Sequence, residues 1–263
     1  MDLKLDGKRA LICGGSSGLG RAVATALVAE GAHVALLSRD AEKLQAVADA
    51  LNATGPGKAV VAAADLADHE ALLKAVDRAE DLLGGPIEIL LNNTGGPPPS
   101  GVSGLEPAVW RDHFESMVLS IFRLTDRVLP AMRAAGWGRI LNVASITVVE
   151  PSAALGVSNT LRASVAAWAK TLANEVGPDG VTVNTLLPGR IDTPRIERLD
   201  QATAERTGTT PQEARAASVK SIPVGRIGTT EEFGATAAFL ASPLAAYVTG
   251  SLIRLDGGAI KAI

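Results

Sequence analysis

The stretch from Ala10 to Arg39, ALICGGSSGLGRAVATALVAEGAHVALLSR, constrains this chain more than any other. A short apolar run enters a glycine turn, a helical stretch follows, and a second apolar run closes the unit within about thirty residues, the length of one βαβ element. Gly14, Gly18 and Gly20 stand at Gly-x-x-x-Gly-x-Gly spacing. They allow a tight turn and a close approach of backbone to a pyrophosphate, and they set a helix N-terminus with its amide donors and positive dipole end against it. A strand before the triad and a helix after it make dinucleotide binding the expectation, with Ser16, Ser17 and Leu19 as further contacts in the same turn.

The same rhythm continues to the end of the chain. Short apolar runs near 9–13, 33–38, 59–63, 87–91, 139–143, 181–186 and 251–255 alternate with amphipathic stretches near 18–30, 40–52, 68–83, 107–134, 153–176 and 230–241. That pattern predicts an α/β fold with a parallel sheet covered by helices on both faces. No linker or repeat divides residues 1–263, so one doubly wound Rossmann-type domain is expected, with the polar insertion 190–222 as a substrate lid. With 47% hydrophobic and 20% charged residues the chain can bury a large core, and a net charge of −3 argues against nucleic acid as a partner. One cysteine, Cys13, excludes an internal disulfide and offers no zinc spacing, so no metal is expected. Neither a signal peptide nor a membrane span is read, which makes the cytoplasm the expected location.

Several motifs in the right order resemble the short-chain dehydrogenase/reductase family over nearly the whole chain. CGGSSGLG is similar to the family's TGxxxGxG, with Cys13 in the threonine place. ADL supplies Asp65, the family's adenine contact, followed by Leu66; LNNTGG is similar to NNAG and supplies Asn93 and Gly95. LLPGRIDTP resembles the segment bordering the nicotinamide, giving Pro188, Gly189 and Thr193, while IPVGRIGTTEEFGATAAFLAS and YVTGSLIRLDGG match the last helix and strand. The resemblance implies a seven-stranded parallel sheet of order 3-2-1-4-5-6-7. The end of the second strand then selects the cofactor, because a 2′-hydroxyl calls for a carboxylate and a 2′-phosphate for a cation. Here the strand ends in Ser38 and Arg39, a donor and a bidentate clamp, so NADP(H) is preferred over NAD(H). The plainer reading pairs Arg39 with Asp40 or Glu42 on the surface.

The catalytic positions depart from the family. Its members hold the carbonyl oxygen with a serine, pass the proton through a tyrosine four residues before a lysine, and use a helix-borne asparagine. Alignment through KTLANEVGPDGVTVN sets Ser158 at the tyrosine position, Arg162 at the lysine position and Met117 at the asparagine position, with Ser145 retained. An aliphatic hydroxyl is a far weaker acid than a phenol and shorter, so Ser158 is a poor proton donor. Arg162 keeps the charge that can hold a ribose but does not trade protons. Met117 removes the amide that supports a water chain.

Other residues offer little replacement. Tyr247, the only tyrosine, lies beside the last strand, and His33 and His69 read as surface or packing residues. His113 shares a helix face with Met117 and is a candidate acid or an exposed histidine. Thr147 and Glu150 are candidate substrate contacts in the loop after Ser145, and NVASI is not a nucleophile elbow. Two readings remain. One is an NADP(H)-dependent oxidoreductase that reduces a carbonyl or oxidises an alcohol of an unidentified small molecule with a rearranged proton relay. The other is a dinucleotide-binding sensor or partner subunit that has lost its acid. The resemblance also implies a homotetramer, paired through apolar faces that include Trp168, Leu172 and Val176, with LDGGAIKAI at a second interface.

Overall fold

Strands buried on both faces appear in sequence as unbroken apolar runs rather than as an alternation, and that is how these strands are built. The computed structural model describes residues 1–262. Its strands are β1 (Arg9–Cys13), β2 (His33–Leu37), β3 (Ala59–Val61), β4 (Ile89–Asn92), β5 (Gly138–Val143), β6 (Val181–Pro188) and β7 (Leu252–Leu255). All pair in parallel in one sheet of order β3-β2-β1-β4-β5-β6-β7, the order that the resemblance implied. Register is set where successive side chains must enter opposite cores. Ile12 and Leu36 meet Val23 and Leu27 from one layer, whereas Leu11 and Ile140 meet Leu72 and Leu124 from the other.

The helices are α1 (Gly18–Ala29), α2 (Ala41–Thr54), α3 (His69–Leu83), α4 (Pro107–Phe114), α5 (Ser120–Ala135), α6 (Gly156–Val176), α7 (Pro194–Thr207), α8 (Pro211–Val219) and α9 (Thr230–Ala241). Their starts follow from capping chemistry. Asp40 and Asp68 accept from the amides of Lys43 and Ala71, each at 3.0 Å, and Thr210 and Thr229 form reciprocal capping boxes with Glu213 and Glu232. The first layer holds α1, α2 and α9, the second α3, α5 and α6.

Three expectations need correction. The helix expected at 107–134 is interrupted by a π-helical turn, Glu115–Leu119. Here Ser116 and Ser120 direct their hydroxyls back onto the carbonyls of Asp112 and Ser116 at 3.0 and 2.7 Å. The helix expected from 153 starts at Gly156. Leu172 and Val176 are buried inside the subunit against the sheet, so of the three residues assigned to a subunit contact only Trp168 keeps an exposed edge, stacked on Phe122 at 4.5 Å. The polar insertion 190–222 contains α7 and α8. It is braced internally by ion pairs from Arg190 to Asp200 and from Arg215 to Asp192, the latter at 2.7 Å. Among the described residues, no helix is long and apolar enough to cross a membrane.

Candidate active site

The strand order reverses between β1 and β4, where the chain leaves in opposite directions for β2 and β5. Parallel α/β sheets bind ligands in the crevice at the carboxyl ends of such strands, and a cleft of about 620 Å³ opens here. Its floor is the glycine turn. Gly14 has φ +67, and a Cβ there would lie 2.6 Å from Asn93 Nδ2, so only glycine meets both demands. Asn93 in turn donates to the carbonyl of Cys13 at 3.2 Å, which holds the ends of β1 and β4 together. Ser16, Ser17, Gly18 and Leu19 line the cleft, and Ser17 caps α1 with no side-chain bond, which leaves the first-turn amides for a ligand oxygen. Gly20 is the exception among the residues assigned to the cofactor, since it does not border the cleft. A Cβ on it would lie 2.3 Å from the Gly14 carbonyl, so its role is to seat α1 against the turn.

Beyond β2 lie Ser38, Arg39, Asp65 and Leu66, all on the cleft wall. Ser38 borders the cleft, and its Oγ is buried without a hydrogen-bond partner, an orphan donor at the end of β2. Arg39 is 80% exposed and approaches Asp65 only to 3.9 Å. Its neighbour Asp40 is engaged instead by Lys43 at 2.8 Å, which also holds the Asp40 carboxyl below its ordinary range. Asp65 accepts from the Ala67 amide at 3.0 Å. The glycine cradle, the free helix N-terminus and the orphaned Ser38 hydroxyl fit a dinucleotide. Cys13 adds no chemistry: burial pushes its thiol up to about 12.

At the other end the cleft is bordered by Asn93, Gly95, Pro188, Gly189 and Thr193. Thr193 caps α7 and approaches Gly18, where a Cβ would meet it at 3.6 Å, so the start of the lid lies over the glycine turn. Gly189 lets β6 pass β7 closely, because a Cβ would lie 2.8 Å from Asp256 Cα. Ser145, Ser158 and Arg162 border the same space. Ser158 and Arg162 form one unit: Arg162 Nε donates to Ser158 Oγ at 3.2 Å, and Nη1 donates to the Val143 carbonyl at 3.0 Å. Ser145 is bonded to neither; its Oγ accepts from the Thr147 amide at 3.2 Å. Met117 is 4% exposed and packs with Val157 and Leu161, so the π turn brings an apolar wall to this corner.

His113 also borders the cleft, whereas Tyr247 is fully exposed and away from it. His33 accepts from the Lys58 amide at 3.1 Å and His69 opens α3, both away from the cleft. Thr147 is buried and Glu150 exposed, and neither lines the cleft. Two residues that sequence reasoning missed stand opposite Arg162. Arg195 and Arg198, on successive turns at the start of α7, border the cleft, and Arg195 donates to the Pro97 carbonyl at 3.2 Å. Their only sequence signal was the i,i+3 spacing just after Thr193. Burial, and secondly the charge of Arg195, push Arg162 down to about 10; burial and then Arg198 lower Arg195. A second cavity of about 430 Å³ continues outward past Leu155 and Leu199, which border both spaces. No cluster of metal-ligating side chains occurs among the described residues.

Residues 14–259 match the family described as enoyl-(acyl carrier protein) reductase. The chain is 36% identical over 256 residues to the 3-oxoacyl-(acyl-carrier-protein) reductase FabG of Vibrio cholerae, covering 97% of this chain and 98% of that one. The L-sorbose reductase of Gluconobacter frateurii, solved with NADPH and L-sorbose, superposes with a TM-score of 0.93 at 31% identity over 100% of both chains. YwfH, an NADPH-dependent reductase involved in bacilysin biosynthesis, superposes with a TM-score of 0.92 at 28% identity over 97% of this chain and 99% of its own. With the strand order, the glycine turn and the cleft at the switch point, these matches establish that the chain belongs to the short-chain dehydrogenase/reductase family of NAD(P)-dependent oxidoreductases.

Proposed function

We propose that the protein is an NADPH-dependent reductase of a small carbonyl compound, in which Ser158, held and polarised by Arg162, binds the carbonyl oxygen and water supplies the proton. The observation that carries this reading is the bond from Arg162 Nε to Ser158 Oγ. An acceptor filled in this way leaves the serine O–H free to donate into the cleft, next to a fixed positive charge. When bound, the nicotinamide supplies the hydride. The chain's part is then to stabilise the alkoxide charge as it develops, through preorganised donors in a partly water-excluded site. Arg162, even at about 10, stays protonated at neutral pH, so it serves as a fixed charge and the proton comes from solvent. Ser145 Oγ is occupied as an acceptor by the Thr147 amide and its hydrogen is likewise available to a substrate oxygen.

In this reading the phosphates lie on Ser16, Ser17, Gly18 and Leu19, and Asp65 and Leu66 border the adenine. Asn93, Gly95, Pro188, Gly189 and Thr193 border the nicotinamide half. Preference for NADPH is supported by the orphaned Ser38 hydroxyl and by Arg39, which is largely exposed and meets Asp65 only at 3.9 Å. The family's homotetramer carries over as the expected assembly; the exposed Leu244, Tyr247 and Leu252 around β7 offer one face for it.

The test is NADPH consumption by purified protein across a panel of ketones, quinones and acyl thioesters. Turnover is expected with at least one of them, with a loss of about 100-fold in kcat for Ser158→Ala, the magnitude of one oxyanion donor. Tight NADPH binding without turnover across the panel would favour a sensor instead.

A further inference from the structure

Three arginines meet at the substrate end of the cleft. Arg162 spends Nε on Ser158 and Nη1 on Val143, which leaves Nη2 with no acceptor among the described residues. A Cβ placed on Gly96 would lie 3.4 Å from that Nη2 and 3.2 Å from Nη2 of Arg195, so both guanidiniums border the same small volume. Arg198 borders the cleft one helical turn further on, bonded only to its own helix through the Pro194 carbonyl at 3.2 Å. None of the three is ion-paired among the described residues, although Arg190 and Arg215 of the same region each hold an aspartate. Like charges left together in a partly buried space cost stability, and that cost is repaid only by an anion.

We infer that the pair Arg162 and Arg195 is a carboxylate clamp, and that the substrate is a short oxo acid with its carboxylate within a few bonds of the reacting carbonyl. The inference rests on the reductase reading for the position of that carbonyl, at Ser158. Ser158 is held at Nε, and the free Nη2 is the neighbouring donor on the same edge of the guanidinium, so the oxygens held by Ser158 and by Nη2 must be near neighbours in the ligand. That geometry suits a 2-oxo or 3-oxo acid. A phosphate of the cofactor is the other source of an anion. The position argues for the substrate: Thr193 stands over the glycine turn where phosphates fit, whereas Arg195, two residues on, reaches across to Pro97 beyond it.

The experiment measures binding and turnover separately, on the full chain with NADP+ or NADPH present. Pyruvate, phenylpyruvate, acetoacetate and 3-oxohexanoate are compared with their methyl esters by calorimetry. At least one acid is expected to bind about tenfold or more tightly than its ester, the worth of a charge-assisted hydrogen bond. Arg195→Met is expected to remove that difference while the Kd for NADPH, read by its fluorescence, changes less than about twofold. Arg195→Lys should recover part of it, which guards against a folding defect. Acids and esters that bind alike throughout would overturn the inference, as would an Arg195→Met variant that loses NADPH affinity and leaves acid binding unchanged. Preferential acid binding without any turnover would support the clamp and refute the reductase reading.

Discussion

Replacing Arg162 with methionine should make the protein more stable and less active at once. Its charge is half-buried at the cleft wall and faces a second cation, which weakens proton binding from the ordinary arginine range down to about 10. Each tenfold weakening corresponds to about 1.4 kcal/mol, so keeping the group charged costs the fold about 3 kcal/mol. Because the unfolded chain binds this proton more tightly, the cost is present at every pH below about 10 and is relieved only above it. The substitution removes it but also forfeits the bonds to Ser158 and Val143, about 1 kcal/mol each. The balance is a gain of about 1 kcal/mol in the apoprotein, or about 2–4 °C in Tm for a chain of this size. Urea titration at constant ionic strength and differential scanning fluorimetry read it. Added acetate should stabilise the wild type and not the variant. An apoprotein destabilised by about 2 kcal/mol or more would refute the reasoning, since it would mean that the cation is satisfied within the fold.

Ser38→Asp should lower affinity for NADPH by about 100-fold and leave NADH binding unchanged or improved, because a carboxylate would face the 2′-phosphate; equal effects on both cofactors would contradict the assignment. Gly20→Ala should cost more than about 2 kcal/mol or abolish soluble expression, since its Cβ would lie 2.3 Å from a backbone oxygen that cannot yield; wild-type stability in urea would count against that packing. The rate kcat should vary less than about threefold between about pH 6 and 9, because Arg162 holds its proton throughout. A break near neutrality in the pH profile, removed by His113→Gln, would identify a different acid in the cleft. Light scattering should give the mass of a tetramer, and a monomer would contradict the family-based assembly.

What was legible in the sequence is what is local or repeated. The glycine turn announces itself because strand, turn and helix adjoin, and strand order follows once the apolar runs are counted and the resemblance supplies the topology. Gly20 shows the limit of spacing: the triad gives three glycines, but whether one meets a ligand or a neighbouring carbonyl is decided in three dimensions. The π turn at Glu115–Leu119 was invisible, because one inserted residue shifts apolar spacing no more than ordinary variation does. Leu172 and Val176 make an apolar face, and such a face does not say which layer will cover it. Nothing in the sequence distinguishes Arg195 and Arg198 from the solvated side of a polar helix. Only the return of α7 over the loop after β4 sets Arg195 against Arg162, and no local pattern encodes that return.

The central claim is that this site still moves a hydride without a tyrosine. The direct measurement is mass spectrometry of the product after incubation with NADPH deuterated at C4, over the oxo acids and neutral carbonyls above. One deuterium is expected in a hydroxy product formed by the wild type, at a rate reduced about 100-fold by Ser158→Ala. Saturable NADPH binding with no deuterium transferred to any compound would contradict it.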